Sequence, residues 1–233
     1  MLDLKEEQKY EQLRELAQEL HVPIPEAFWE LEVTDKKGKV IQKHKQRSHS
    51  WVRNAYNQVP CQLASKDGAD AVFGAGNINI KDDTGAVIYG AKPIAQDYNA
   101  SLDALGNGYR GNAGDDARGI LVGSGTNAES FEDYILQTKI ANGTLAGQLS
   151  YVAGEVPTKS YAALTITIGH IRYFNNNSGG SVSVNEVGIA SYGKANALTT
   201  TWLRCRDKLA STVTVPNTGQ LKVSYTIQLT YPA

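Results

Sequence analysis

The stretch Val213-Thr-Val-Pro216-Asn-Thr-Gly219-Gln-Leu221-Lys-Val223-Ser-Tyr225-Thr-Ile227-Gln-Leu229-Thr230 decides the fold. From Leu221 to Leu229 every second residue is apolar, the period of a strand with one buried face. Lys222, Ser224, Thr226, Gln228 and Thr230 form the opposite, wetter face, as in an antiparallel sheet covered on one side. Pro216 to Gly219 supplies a turn.

Working outward, Leu164-Thr-Ile-Thr-Ile168 and Ser181-Val-Ser-Val184 alternate in the same way. Asn175-Asn176-Asn177-Ser178-Gly179-Gly180 lies between them, rich in residues that bend the chain and bond their own backbone. The segment 164–189 therefore predicts a β-hairpin with a longer, exposed polar tip. Shorter strands are expected at Asn77 to Ile80, Ala86 to Tyr89 and Gly119 to Val122, and a long loop from Tyr98 to Asp116.

The N-terminal part has a different texture. Leu13, Leu16, Ala17 and Leu20 draw a narrow apolar stripe at helical period through a polar segment, and a stripe so thin needs a partner surface. Pro23 and Pro25 end that helix. Phe28 to Val33 and Lys39 to Ile41 flank Asp35-Lys-Lys-Gly38, which predicts a hairpin. Ser48 is placed to cap a further helix with Trp51, Val52, Ala55, Tyr56 and Val59 on one face, ended or kinked at Pro60.

These elements predict a mainly β chain: an antiparallel, jelly-roll-like β-sandwich over residues 65–233, an amphipathic helix over 48–64, and an N-terminal helix-and-hairpin docking arm over 1–47. With 233 residues the chain is long enough to bury a sizeable core. Its net charge of -1 gives no overall electrostatic footprint for nucleic acid. No apolar run is long enough to span a bilayer and the N-terminus lacks a secretory pattern, so synthesis in a cytoplasm is expected. Cys61 and Cys205 are too few for a disulfide framework and are expected as buried thiols.

Chemistry is hard to place. Gly123-Ser-Gly125-Thr lacks the Lys-Ser/Thr pair of a phosphate loop and the spacing of a nucleophile elbow, which leaves a plain tight turn. The four histidines are scattered, and neither Asp82-Asp83 nor Asp115-Asp116 sits in a spaced calcium loop. No acid pair for sugar hydrolysis is singled out. The expectation is no catalytic residue, no metal and no cofactor.

Three segments together carry a resemblance. They are Ser48-His-Ser-Trp51-Val-Arg-Asn-Ala-Tyr56-Asn; Gly119-Ile-Leu-Val-Gly123 through Phe131-Glu-Asp133 to Ile140; and Ile171-Arg-Tyr-Phe174 with Val184-Asn-Glu186-Val-Gly188, Leu203-Arg-Cys-Arg206-Asp207 and the closing strand. In this order they resemble a class of structural proteins from tailed bacteriophages, over somewhat under half of the chain. The resemblance implies a virion component with a β-sandwich body and no enzymatic activity, located on the capsid, neck or tail. It brings no catalytic residues, and residues 1–47 fall outside it.

The expected partners are other virion proteins and further copies of the chain. Leu13, Leu16, Leu20, Phe28, Trp29, Lys43, Lys45 and Arg47 are the expected interface. The competing expectation is a module that binds host surface glycans through Tyr98, Tyr109, Asn175, Asn176 and Asn177. A third, a glycan-degrading enzyme, lacks its acid pair.

Overall fold

The computed structural model describes residues 4–63, 80–88, 104–195 and 198–231. In chain order the elements are α1 (Leu4–Glu19), β1 (Ile24–Thr34), β2 (Val40–Arg47), α2 (Arg53–Leu63), β3 (Ile80–Lys81), β4 (Val87–Ile88), β5 (Gly119–Gly123), β6 (Ser150–Tyr151), β7 (Thr158–Ala162), β8 (Thr165–Asn175), β9 (Val182–Ala195), β10 (Leu198–Val215) and β11 (Gln220–Thr230). A six-stranded antiparallel sheet runs β2-β1-β11-β8-β6, with β7 also on β8, and a three-stranded sheet runs β10-β9-β5. The expected mainly β, sandwich-like architecture is what the chain forms.

One apolar core lies between the two sheets. Trp29, Leu31, Val33, Leu221, Val223 and Phe174 come from the larger sheet, and Ile120, Val122, Val187, Ile189, Leu203 and Val213 from the smaller. Each inward set occupies alternate positions of its strand, so the period read from the sequence selects the buried face. Cys205 is buried in this core, and burial pushes its thiol up.

The segment 164–189 is not a hairpin. β8 pairs with β11, whereas β9 pairs with β10 and β5, so residues between 175 and 182 carry the chain from one sheet to the other. Pro216 to Gly219 makes the return crossing, from β10 back to β11. The two crossings bond each other through Asn176 N to Gly219 O at 2.9 Å and Thr218 N to Asn176 O at 2.7 Å. The Asn176 side chain is fully buried and donates to the carbonyls of Gly180 and Val215, both at 2.8 Å. A turn-rich stretch between alternating strands fits a hairpin or an arch equally well, and the choice depends on which distant strand completes each ladder.

Residues 24–47, expected in an arm outside the body, supply two strands of the larger sheet. β1 pairs with β11 over its whole length and with β2 from Phe28 to Thr34, with Trp29 opposite Tyr225 and Leu31 opposite Val223. The boundary expected at residue 47 thus falls inside the body, and only α1 stands apart. The hairpin turn at Asp35 to Gly38 forms as expected, with Asp35 Oδ1 accepting from the amides of Lys37 and Lys39.

Local expectations shift in two places. Ser48 does not cap α2, which starts at Arg53; its hydroxyl donates to buried Asp207 at 2.6 Å. Pro60 sits within α2. Of the expected strands, 77–79 and 89 lie outside the described residues, as do 98–103 of the long loop, while Ile80, Val87 and Ile88 form the small β3–β4 ladder.

Where the edge strand β2 meets β10, glutamine side chains act as strand backbone. Gln42 Nε2 donates to Thr212 O and Gln42 Oε1 accepts from Thr214 N, each at 2.9 Å. Gln46 treats Lys208 O and Ala210 N in the same way. They satisfy β10 where its pairing to β9 shifts register between Lys208 and Val213.

His170, on β8, is buried against the Tyr109 ring, with ring centroids 5.4 Å apart. Burial lowers its pKa from 6.5 to about 4, so the folded state holds it neutral. Between those values the unfolded chain binds the proton and the folded chain does not, so stability is intact above pH 6.5 and falls as pH drops toward 4. The share lost between pH 7 and pH 4.5 is about 2 kcal/mol. Urea-unfolding midpoints of wild type and His170→Gln at both pH values test this, and a variant that keeps the full wild-type loss would refute the assignment.

Candidate docking surface

The outer face of the larger sheet begins with the alternation of β1. Glu26, Phe28, Glu30 and Glu32 point away from the core, because Ala27, Trp29, Leu31 and Val33 point into it. In β2 the matching outward residues are Lys43, Lys45 and Arg47, and register sets Glu32 opposite Lys43, Glu30 opposite Lys45 and Phe28 opposite Arg47. Opposite charges thus meet across the strands, with Lys43 Nζ 2.8 Å from Glu32. The hydrogen bond from Lys43 holds the Glu32 carboxyl below the usual range.

Arg47 closes this row and holds α1. It is 2% exposed and pairs with Glu26 of β1 and, at 2.7 Å, with Glu7 of α1. Its guanidinium lies 3.7 Å from the Tyr10 ring centroid and 4.7 Å from that of Phe28. Arg14 reaches back to Glu26 at 3.0 Å, and Glu6 pairs with His49. The hydrogen bond from Arg47 depresses the Glu7 carboxyl.

Consequently α1 rests on the body by a mostly polar face. Glu6, Glu7, Tyr10, Arg14 and Ala17 share one side of the helix, and the centre of the leucine stripe lies roughly 100° away around the axis. Leu13, Leu16 and Leu20 are 44%, 50% and 61% exposed. An ordinary amphipathic helix turns the leucines inward. On the side of α1 that faces the body, Arg14 and Ala17 line an open cavity of about 230 Å³ together with Val22, Ile24, Leu164 and Tyr231.

Of the expected interface residues, the leucines are therefore free to make contact, and the rest are engaged within the chain. Trp29 is a correction: it is fully buried, its ring 4.2 Å from that of Tyr225, and its Nε1 donates to Asp207 at 2.7 Å. Arg47 is a second correction, since it is buried and binds α1 rather than a partner. Lys43 and Lys45 are exposed but ion-paired to Glu32 and Glu30, and Phe28 is half-buried beneath Arg47.

The expected glycan contacts do not come together. Tyr98 lies outside the described residues. Tyr109 is half-buried against the core and His170. Asn176 is buried, Asn175 is half-buried and accepts from Gln220 Nε2 at 2.8 Å, and of the three asparagines Asn177 alone is exposed. Among the described residues no group of three or more His, Cys, Asp or Glu side chains is arranged to hold a metal ion, and no helix is long and apolar enough to cross a membrane.

Residues that matter most inside the body were passed over in the sequence. Glu186 is fully buried and accepts from the amides of Gly125, Gln137 and Thr138 and from Arg206 Nε at 2.6 Å. Arg206 also binds Asp133 at 2.9 Å. Asp207 accepts from Trp29, Ser48 Oγ and His49 N, and burial raises its carboxyl above the ordinary range. Arg172 donates to five backbone carbonyls. The available signal was a charge inside an alternating apolar run, as in Val184-Asn-Glu186-Val and Leu203-Arg-Cys-Arg206-Asp207.

These networks tie together the segments that carry the resemblance. Ser48 and His49 meet Asp207, and the 124–138 loop meets Glu186 and Arg206. They also explain Gly123-Ser-Gly125-Thr, because a Cβ on Gly125 would lie 2.6 Å from Glu186 Oε1. The glycines make room for a buried carboxylate. No protein-family model, curated protein or solved structure matches this chain.

Proposed function

We propose that this chain is a non-enzymatic structural component of a tailed-phage particle, made in the host cytoplasm and attached to a neighbouring particle protein through the outward face of α1. The observation that carries this reading is the mounting of the helix: salt bridges hold its polar face to the body while Leu13, Leu16 and Leu20 stay about half exposed. A rigid sandwich with an ion-paired handle suits a static joint. Burying the leucines on a partner would contribute about 1 to 2 kcal/mol each, since each is already partly covered.

The charged residues Glu186, Arg206 and Asp207 favour a structural role, because they build internal networks rather than line an open cleft. Recognition of host glycans has less support, with Tyr109 and Asn176 engaged inside the fold.

Deleting residues 1–47 would also remove β1 and β2, so the test is confined to α1. Leu13→Gln/Leu16→Gln/Leu20→Gln keeps helix propensity and removes the apolar stripe. Incorporation into particles is expected to fall by at least about tenfold, the equivalent of about 1.4 kcal/mol, while the unfolding midpoint stays near wild type. Unchanged incorporation would refute the docking role.

A further inference from the structure

We propose that β7 is a pairing edge: the β7 strands of two copies of this chain join antiparallel about a two-fold axis at Ser160, and the larger sheet runs on from one copy into the other. The inference stands independently of the α1 docking reading.

The larger sheet ends differently on its two sides. On the β2 side it is closed onto β10 through Gln42 and Gln46. On the other side β7 lies along β8, and among the described residues no further strand pairs with it. All five residues of β7 are exposed, so the strand adds nothing to the core. A demanding turn nonetheless holds it in the sheet. Ala163 and Leu164, which join β7 to β8, have φ of 46° and 62°, a left-handed pair that residues other than glycine, asparagine and aspartate rarely adopt.

The ladder fixes which backbone groups are left over. Leu164 O accepts from Tyr231 N and Ile171 O accepts from Glu155 N, so the even-numbered residues of β8 bond toward β11 and the odd-numbered ones toward β7. Thr165, Thr167 and Gly169 therefore engage Ala162, Ser160 and Thr158, while the N–H and C=O of Lys159 and Tyr161 point away from the sheet. Pro157, the next outward position, has no N–H to offer.

This edge is its own complement. With the axis at Ser160, Lys159 of each copy stands opposite Tyr161 of the other, and each such pair exchanges both of its backbone hydrogen bonds. Ser160 faces Ser160, and Thr158 faces Ala162. A lysine on an edge strand usually keeps other strands away. Here the register sets its ammonium beside Tyr161, whose ring centroid already lies 6.3 Å from that of Tyr231, so the charge meets aromatic rings rather than its own copy. The neighbouring in-phase registers fail. Sliding one way opposes the two lysines and sets Tyr161 against Pro157, which lacks a donor, and sliding the other way runs Lys159 into the turn. A contact of this size is weak in free solution and strengthens where copies are held at high local concentration.

Sedimentation velocity on the full chain up to ~1 mM reads the association, and wild type is expected to dimerise within that range. Lys159→Pro removes an outward donor at a position where an edge strand tolerates proline, and is expected to weaken the dimer by at least about tenfold with an unchanged urea-unfolding midpoint. The register is read by oxidation. Across the axis the two Ser160 Cα atoms would lie about 4.5 Å apart, within disulfide reach, whereas the two Thr158 positions would lie about 13 Å apart. Ser160→Cys is therefore expected to form a covalent dimer at least about tenfold faster than Thr158→Cys under the same oxidant. A wild type monomeric at every concentration overturns the proposal. So does a dimer that Lys159→Pro leaves intact, and so does Ser160→Cys cross-linking no faster than Thr158→Cys.

Discussion

Glu186→Ala is expected to destabilise the protein by about 3 to 5 kcal/mol, the range for breaking a buried ion pair from one side. Glu186 has no exposed surface, and its carboxylate is the common acceptor for Gly125 N at 3.1 Å, Gln137 N at 3.0 Å, Thr138 N at 2.7 Å and Arg206 Nε at 2.6 Å. Alanine strands three loop amides and leaves Arg206, itself 2% exposed, with Asp133 and the carbonyls of Asn127 and Ala128. Arg206→Met combined with Glu186→Ala should cost less than the sum of the two single changes, because neither charge is then left alone. Urea unfolding measures all three, and hydrogen exchange should show the 124–138 segment losing protection first. A single-variant loss below about 1 kcal/mol would mean that the carboxylate is dispensable.

The second large effect is expected at Arg172, a guanidinium whose five hydrogen bonds all go to backbone carbonyls. Its Nε donates to Val152 O at 2.8 Å, Nη1 to Arg118 O and Ile120 O, and Nη2 to Asn112 O and Asp115 O. Burial pushes its pKa down, yet five acceptor dipoles converge on the planar fork. Arg172→Met keeps the volume and removes every donor, so the 112–120 and 152–155 segments lose their common anchor. The expected cost is about 3 kcal/mol by thermal or urea unfolding. Arg172→Lys should recover less than half, since one ammonium cannot span acceptors on two segments. Full rescue by lysine would show that charge rather than fork geometry is what the site requires.

Both sites are charged residues within strands, and this marks where sequence reading stopped. The inward positions of β1 and β11 were legible from Leu31, Val33, Leu221 and Val223, because burial on one face imposes a period of two. The leucine stripe of α1 was legible for the same kind of reason, at a period of 3.6. Its outward direction was not, since what turns it is Arg47, contributed by a strand 40 residues away from Glu7. Trp29 and Arg47 were assigned to an interface because side-chain type alone does not reveal that Asp207 and Glu26 wait inside the fold.

By itself the sequence determined the element types, the buried faces, the β1–β2 turn and the presence of an underemployed helix, all of which follow from local periodicity and turn chemistry. Only the tertiary structure decided that Asn175 to Ser181 crosses between sheets, that residues 24–47 belong to the body, and that buried carboxylates and guanidiniums fasten its loops. Those outcomes depend on partners 20 to 186 residues apart in the chain, as Arg206 with Glu186 and Thr34 with Gln220 illustrate. Strand pairing and charge neutralisation are satisfied by whichever residue arrives in space, and an alternating run records its own buried face but not its neighbour.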